Sequence, residues 1–210
     1  MMQSPYSIFN LHRNPFGELT RAERAELAVV EELDECVQSL ADERAAIQFV
    51  GDCGFGKTTH LLALERRLSS AKYVYYPEAG PRPALPCERP LLVDEADRMG
   101  WRQHLRLLRG GGPIVIGTHV DYSWRLRRAG FRVMTVNVEH PKTPAAIAVI
   151  LNRRIEASRL VQGLPIPVVE ECFAEQLIRK FDSNLRSIER FLYERFQLSI
   201  SEKTPWPPAI

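Results

Sequence analysis

This chain is short of net charge, of paired cysteines and of long apolar runs, and each shortage excludes something. Basic and acidic residues number 28 and 26, so the net charge is only +2. Such a balance gives no overall attraction to nucleic acid, and any contact of that kind has to be a local patch. The four cysteines, Cys36, Cys53, Cys87 and Cys172, are scattered without a C-x-x-C pair. That spacing argues against metal binding and against a disulfide framework. No apolar run is long enough to cross a membrane and no signal peptide is visible, so no membrane insertion is expected and a cytoplasmic location is the default. Internal repeats and low-complexity tracts are absent too.

What remains is an ordinary globular composition. Hydrophobic residues make up 45% of 210, enough for one large domain or for a core plus a small subdomain. Within it one segment stands out. Gly51-Asp52-Cys53-Gly54-Phe55-Gly56-Lys57-Thr58 is a complete G-x-x-x-x-G-K-[ST] phosphate loop. The apolar run 45–50 precedes it and the helical pattern 59–68 follows, which is the strand–loop–helix context the motif requires. The glycines let successive N–H groups turn inward toward phosphate oxygens, and the helix start adds a positive dipole end. Lys57 can reach the β- and γ-phosphates and Thr58 can ligate Mg²⁺. The expected nucleotide-binding set is Gly51, Asp52, Cys53, Gly54, Phe55, Gly56, Lys57, Thr58 and Thr59.

Around this loop the pattern predicts alternating strands and helices. Residues 1–19 are irregular, and a helix is expected from Arg21 to about Leu40, entered through a Thr20/Glu23 capping box. Strands are expected at 45–50, 72–76, 91–95, 114–119 and 132–138, with basic helices at 101–109 and 124–129. The stretch 77–90, PEAGPRPALPCERP, is too rich in proline for a helix. After Pro144 the pattern is helical, over 144–159, 168–181 and 184 to about 198. The expected division is a nucleotide-binding core at 1–140, a helical subdomain at 141–202 and a loose tail at 203–210. Alternation before residue 140 implies a mainly parallel α/β sheet.

A second acidic element follows the apolar run Pro90-Leu91-Leu92-Val93. Asp94 at the strand end can hold Mg²⁺, directly or through water, and Glu95 can polarise a water for attack on the γ-phosphate.

Taken together, Gly51 to Thr58 and Leu91-Leu92-Val93-Asp94-Glu95-Ala96-Asp97 resemble the Walker A and Walker B pair of the AAA+ ATPases. The resemblance implies a five-stranded, mainly parallel core with a small C-terminal helical lid, binding ATP and Mg²⁺ and hydrolysing ATP slowly. Thr118 falls where the family places its polar sensor-1 residue, with His119 beside it; Thr118 is the commoner residue type for that task. Arg125, Arg127 and Arg128 fall where the family carries its arginine finger, and Arg128, nearest the fifth strand, ranks first. Arg186 matches the sensor-2 arginine of the lid. Asn14-Pro15-Phe16 resembles the start of small ATPases of transposition and secretion systems, which would set Pro15 and Phe16 near the adenine. No guanine-reading N-K-x-D motif is present. The family also implies an ATP-dependent homo-oligomer, acting on duplex DNA in the manner of target-selection or initiator ATPases. The alternative is a regulatory or assembly ATPase directed at a protein client. One departure is plain: a proline-rich stretch stands between the second and third strands, where most members carry a helix.

Basic stripes elsewhere have simpler readings. Arg102, Arg106 and Arg109, and likewise Arg153, Arg154 and Arg159, read as solvated helix faces. Tyr73, Tyr75 and Tyr76 read as strand residues and not as base-stacking platforms.

Overall fold

The computed structural model describes residues 4–202 and Trp206. Two compact units make up the chain: Arg21–Glu139, and a second that joins the residues up to Thr20 with those from His140 onward. The N-terminal segment therefore groups with the C-terminal helices and not with the nucleotide-binding core to which the sequence assigned it. Apart from Trp206, the tail 203–210 lies outside the described residues.

The first unit is built on five strands: β1 (Ala45–Val50), β2 (Lys72–Tyr75), β3 (Leu91–Asp94), β4 (Ile114–Thr118) and β5 (Arg132–Asn137). All pairs are parallel and the order is β2-β3-β4-β1-β5. Successive side chains point to opposite faces, so each apolar strand feeds two cores. On β3, Leu91 and Val93 join one cluster and Leu92 the other; on β4, Ile114 and Ile116 oppose Val115. Helices α4 (Trp101–Arg109) and α5 (Ser123–Arg128) cover the first face through Leu107 and Leu126. Helices α2 (Leu33–Ser39) and α3 (Lys57–Arg67) cover the second through Cys36, Leu61 and Leu64. Burial on both faces is why these strands read as continuous apolar runs.

Gln48, Asp94 and Thr118 are buried polar exceptions to that rule. Gln48 on β1 is fully buried, and its amide donates to Asp121 Oδ1 at 2.6 Å and to Thr135 Oγ1 at 2.7 Å. Its carbonyl accepts the Tyr122 N–H at 2.8 Å. The satisfied amide ties the start of α5 to β1 and β5, and an unsatisfied one would be costly here.

The long helix expected from Arg21 to Leu40 is two helices, α1 (Arg21–Glu26) and α2. The β-branched pair Val29-Val30 weakens the pattern in between. Asp34 and Glu35 then place acid in the first turn of α2, which favours a fresh start there. Residues 77–90 contain no helix or strand, consistent with their prolines.

The second unit packs α6 (Pro144–Ala157), α7 (Glu171–Phe181) and α8 (Leu185–Glu202) around Ile147, Leu151, Phe173, Leu177, Ile188, Leu192 and Phe196. Thr143 caps α6 by accepting the Ala146 N–H, with Pro144 in the first turn. Arg154 corrects the reading of a solvated arginine face. It is 5% exposed, donates to the carbonyls of Pro15 (3.0 Å) and Gly17, and pairs with Glu189.

Replacing Arg154 with Met should keep the apolar stem and remove every one of those bonds. Two buried carbonyls and a half-buried carboxylate then lose their donors, a loss of about 2–4 kcal/mol. Native-state hydrogen exchange of α6 and α8 is the readout, and unchanged protection would show that the bonds contribute nothing net.

Candidate functional site

Parallel strands bring five C-terminal ends to one edge of the first unit, and β4 lies between β1 and β3. Gly117 pairs with Phe49, Thr118 with Val50, and Asp94 with Tyr75. Open α/β sheets bind ligands beyond those ends. The phosphate loop leaves β1 there and runs into α3. Gly54 (φ 96°) and Gly56 (φ 103°) adopt left-handed conformations that side chains rarely take. The Gly51 N–H donates to Thr118 O at 3.2 Å, and the Asp52 N–H to the Glu139 carboxylate, which fixes the start of the loop. Lys57 is 4% exposed; its ammonium donates to Gly51 O at 2.6 Å and Asp52 O at 3.0 Å. These are carbonyls of the loop itself, so the cation is held inside the curve that phosphate oxygens could occupy. Cys53, whose side chain is exposed, and Phe55 complete the curve, while Thr59 follows in the first turn of α3.

At the end of β3 the Asp94 carboxylate is fully buried. Oδ2 accepts from Thr58 Oγ1 at 2.8 Å and from Tyr73 OH at 2.7 Å, and Oδ1 accepts the Glu95 N–H at 3.0 Å. Burial raises its pKa above the usual carboxylate value, against the opposing pull of the Tyr73 and Thr58 hydrogen bonds. Tyr73 is pushed far up by its own burial and by the neighbouring Asp94 charge, so it stays a donor. The fit is close: a β-carbon on Gly117 would lie 2.9 Å from Asp94 Oδ1. A hydroxyl and a carboxylate within 2.8 Å form a hard-oxygen pair suited to Mg²⁺.

Glu95 follows in a left-handed conformation (φ 56°). Its Oε2 meets His119 Nε2 at 3.2 Å and the Arg98 guanidinium at 3.1 Å. Asp97 accepts the His119 N–H at 3.2 Å. Thr118 is absent from this group. Its hydroxyl both donates to Val120 O and accepts the Val120 N–H, each at 3.1 Å, and so is spent on its own turn. The polar side chain that reaches Glu95 is therefore His119, one residue later.

The remaining expected site residues have other neighbours. Phe16 is 4% exposed in the apolar core of the second unit, against Phe196 and Trp206, and Pro15 supplies a carbonyl to Arg154. Phe16 thus serves packing. Arg186 is in the first turn of α8, in that same unit. Arg128 ends α5 in the first unit, exposed, its guanidinium 5.8 Å from the Trp124 ring centre. Trp124, Arg125, Arg128 and Ala129 line a groove of about 470 Å³ together with Leu105, Leu108 and Arg109 of α4 and with Arg44. Sequence reasoning missed Tyr73 as a partner of Asp94 and Asp97 as a partner of His119. Neither had a sequence signal of its own: Tyr73 lies inside β2 and Asp97 in the turn after β3, and only the strand order brings them to their partners.

No protein-family model matches the chain, and neither does any curated protein. Solved structures do match. Two variants of RuvB from Thermotoga maritima superpose with a TM-score of 0.57 at 14% identity, over 85% and 90% of this chain. NtrX from Brucella abortus, solved in complex with ATP, superposes with a TM-score of 0.51 at 15% identity over 94% of it. The chain spans 65% of the RuvB chains and 56% of the NtrX chain. The molecule is thus a P-loop α/β protein with an all-parallel five-stranded sheet. More narrowly, its fold is similar to that of these RuvB and NtrX structures. No described helix is long and apolar enough to cross a membrane.

Tyr73→Phe should test the Asp94 arrangement through pH. Asp94 has a raised folded-state pKa, so folding carries no charge penalty below the unfolded carboxyl value and the full penalty above the folded one. Losing the Tyr73 bond raises the folded value further. The variant should lose about 1.5–3 kcal/mol at neutral pH, as for hydrogen bonds to charged groups. That deficit should shrink as pH falls through the titration of Asp94. A deficit independent of pH, in denaturation series, would assign Tyr73 a packing role alone.

Proposed function

We propose that the chain binds ATP with Mg²⁺ and hydrolyses it slowly, and that ATP drives copies of the chain to assemble. The observation that carries this reading is the 2.8 Å bond from Thr58 to Asp94, with Lys57 in the loop before it and Glu95 after it. Side chains suited to phosphate, to a metal and to an attacking water thereby lie on adjoining segments, Lys57 bonded to its own loop and Glu95 to His119 and Arg98. Thr58 and Asp94 would hold Mg²⁺, which when bound neutralises charge on the phosphoryl oxygens. The buried carboxylate fits that role, because a divalent cation offsets the burial that raises its pKa. Lys57 would exchange the loop carbonyls for the β- and γ-phosphates. Glu95 would orient the attacking water once it leaves His119 and Arg98, which is one reason to expect slow turnover. The neighbour solved with ATP is in keeping with ATP as the ligand.

Arg128 is our candidate for the residue that completes another copy's site. It is exposed, and its helix starts at Tyr122 and Asp121, which Gln48 holds. A positioned guanidinium can stabilise a transferring phosphoryl group in trans. DNA is the favoured target. Helices α4 and α5 carry Arg102, Arg106, Arg109, Arg125, Arg127 and Arg128 with no acid on either, a local patch on a nearly neutral chain. Phosphate contacts need such a patch. A protein client is the second reading, favoured by Trp101 and Trp124, which are 71% and 69% exposed on the same two helices.

Lys57→Ala should abolish ATP binding, and Glu95→Gln should bind ATP without turning it over. Equal affinity in the first, or equal turnover in the second, removes the corresponding role.

Arg128→Ala should bind ATP as an isolated subunit but lose hydrolysis or assembly, and mixing it with Lys57→Ala should restore part of the activity. A monomeric ATP state with a rate first order in protein would defeat the assembly reading. ATP-dependent DNA binding that weakens steeply with salt supports the DNA target; ATP-dependent capture of a protein without DNA binding supports the client.

A further inference from the structure

The geometry points to a second cation site beside the nucleotide loop, made by Cys53, Glu95, Asp97 and His119 and suited to zinc. Donor atoms of Glu95, Asp97 and His119 all lie within 4.8 Å of one another. His119 Nε2 is 3.2 Å from Glu95 Oε2 and 3.9 Å from Cys53 Sγ. Two ligands of a tetrahedral zinc ion, at about 2.0–2.3 Å from it, stand roughly 3.3–3.7 Å apart; both His119 spacings need only small side-chain rotations, while Cys53, outside the 4.8 Å cluster, has to swing toward the two carboxylates. One sulfur, one imidazole nitrogen and two carboxylates form a mixed donor set that favours zinc over magnesium.

The surroundings support the imidazole as a ligand. The other ring nitrogen, Nδ1, faces Asp52 Oδ1 at 3.8 Å, so a modest rotation of the exposed Asp52 would let it accept from Nδ1 while Nε2 turns to a metal. Asp97 fixes the backbone of His119 through the 3.2 Å bond. Arg98 stays compatible, because a carboxylate has lone pairs for both a guanidinium and a metal. On binding, the Cys53 thiol releases its proton to solvent and His119 remains neutral. Cysteine spacing could not reveal this set, because its members come from the phosphate loop, the turn after β3 and the turn after β4.

Zinc held here would occupy Glu95, the residue assigned to the attacking water. Bound zinc would then stop hydrolysis while leaving Thr58 and Asp94 to Mg²⁺. That consequence rests on the proposed ATPase reading, whereas the binding itself does not.

The test therefore uses the full chain without nucleotide, with the exposed Cys87 and Cys172 both changed to Ser. Co²⁺ serves as a spectroscopic stand-in and Zn²⁺ as the competitor. One Co²⁺ per chain is expected, with intense tetrahedral d–d bands and a thiolate charge-transfer band, both erased by Zn²⁺. Cys53→Ser should remove the thiolate band. His119→Ala should lower Zn²⁺ affinity by more than about a hundredfold, beyond the cost of losing an outer-shell partner. Asp97→Asn should weaken binding as well, and it decides the matter if His119→Ala does not fold. Absence of Co²⁺ binding, a weak octahedral-type spectrum, or binding unchanged in Cys53→Ser and Asp97→Asn would overturn the site. None of those results bears on ATP binding by Lys57.

Discussion

The buried carboxylate of Asp94 is the constraint around which the first unit is arranged. An ionised group with no exposure is tolerable only when its lone pairs are filled. Three donors fill them, from three places: the Thr58 hydroxyl on α3, the Tyr73 hydroxyl on β2 and the Glu95 N–H at the end of β3. The same bonds hold the phosphate-loop helix and the edge strand β2 to β3. Gly117 is part of this device, since any side chain on β4 at that point would press on Asp94 Oδ1. A carboxylate kept in place at this cost is the feature on which the proposed Mg²⁺ role rests.

Much of this arrangement is visible in the sequence because its parts obey local rules. Strands buried on both faces are continuous apolar runs, and glycine and proline mark their ends. The loop motif carries its own geometry. Where the reading failed, the deciding contact came from far along the chain. Arg154 and Arg153 are neighbours on one helix, and nothing local separates them. Arg154 is buried because the carbonyls of Pro15 and Gly17 lie above it. Phe16 resembled a ligand-side residue and is a core residue, for its ring meets Phe196 and Trp206. Thr118 had the right residue type and the right strand end, yet its hydroxyl closes its own turn. His119 became the partner of Glu95 because β4 lies next to β3, a fact of strand order that composition does not hold.

The proline-rich stretch between β2 and β3 shows how this fold does without a helix. Tyr76 and Leu85 are buried in one face of the sheet, so the segment is anchored at two points. Pro83 O accepts from Gln103 Nε2 at 3.1 Å, which adds a tie to α4. Prolines limit what the unfolded chain can explore, so a strap of this kind loses little entropy on ordering. It also projects no long loop toward a client. Under the proposed function, the arginine-rich helices α4 and α5 are then the surfaces left to carry the output.

Helix α5 is tied to β1, the strand that leads into the phosphate loop, through one buried side chain. Gln48 lies on β1 just before the loop and holds Asp121, Tyr122 and Thr135, so the start of α5 is fixed from the strand that leads into the phosphate site. Spatial intermediacy does not by itself make a coupling pathway. It does fix a position. An arginine at the end of a helix anchored in this way meets a phosphate with less ordering left to lose than one on a loose loop. Electrostatic stabilisation of phosphoryl transfer depends on charges already in place when the reaction occurs. Under the proposed function, the buried amide, silent in the chemistry, bears on it only by fixing the start of the helix that ends in Arg128.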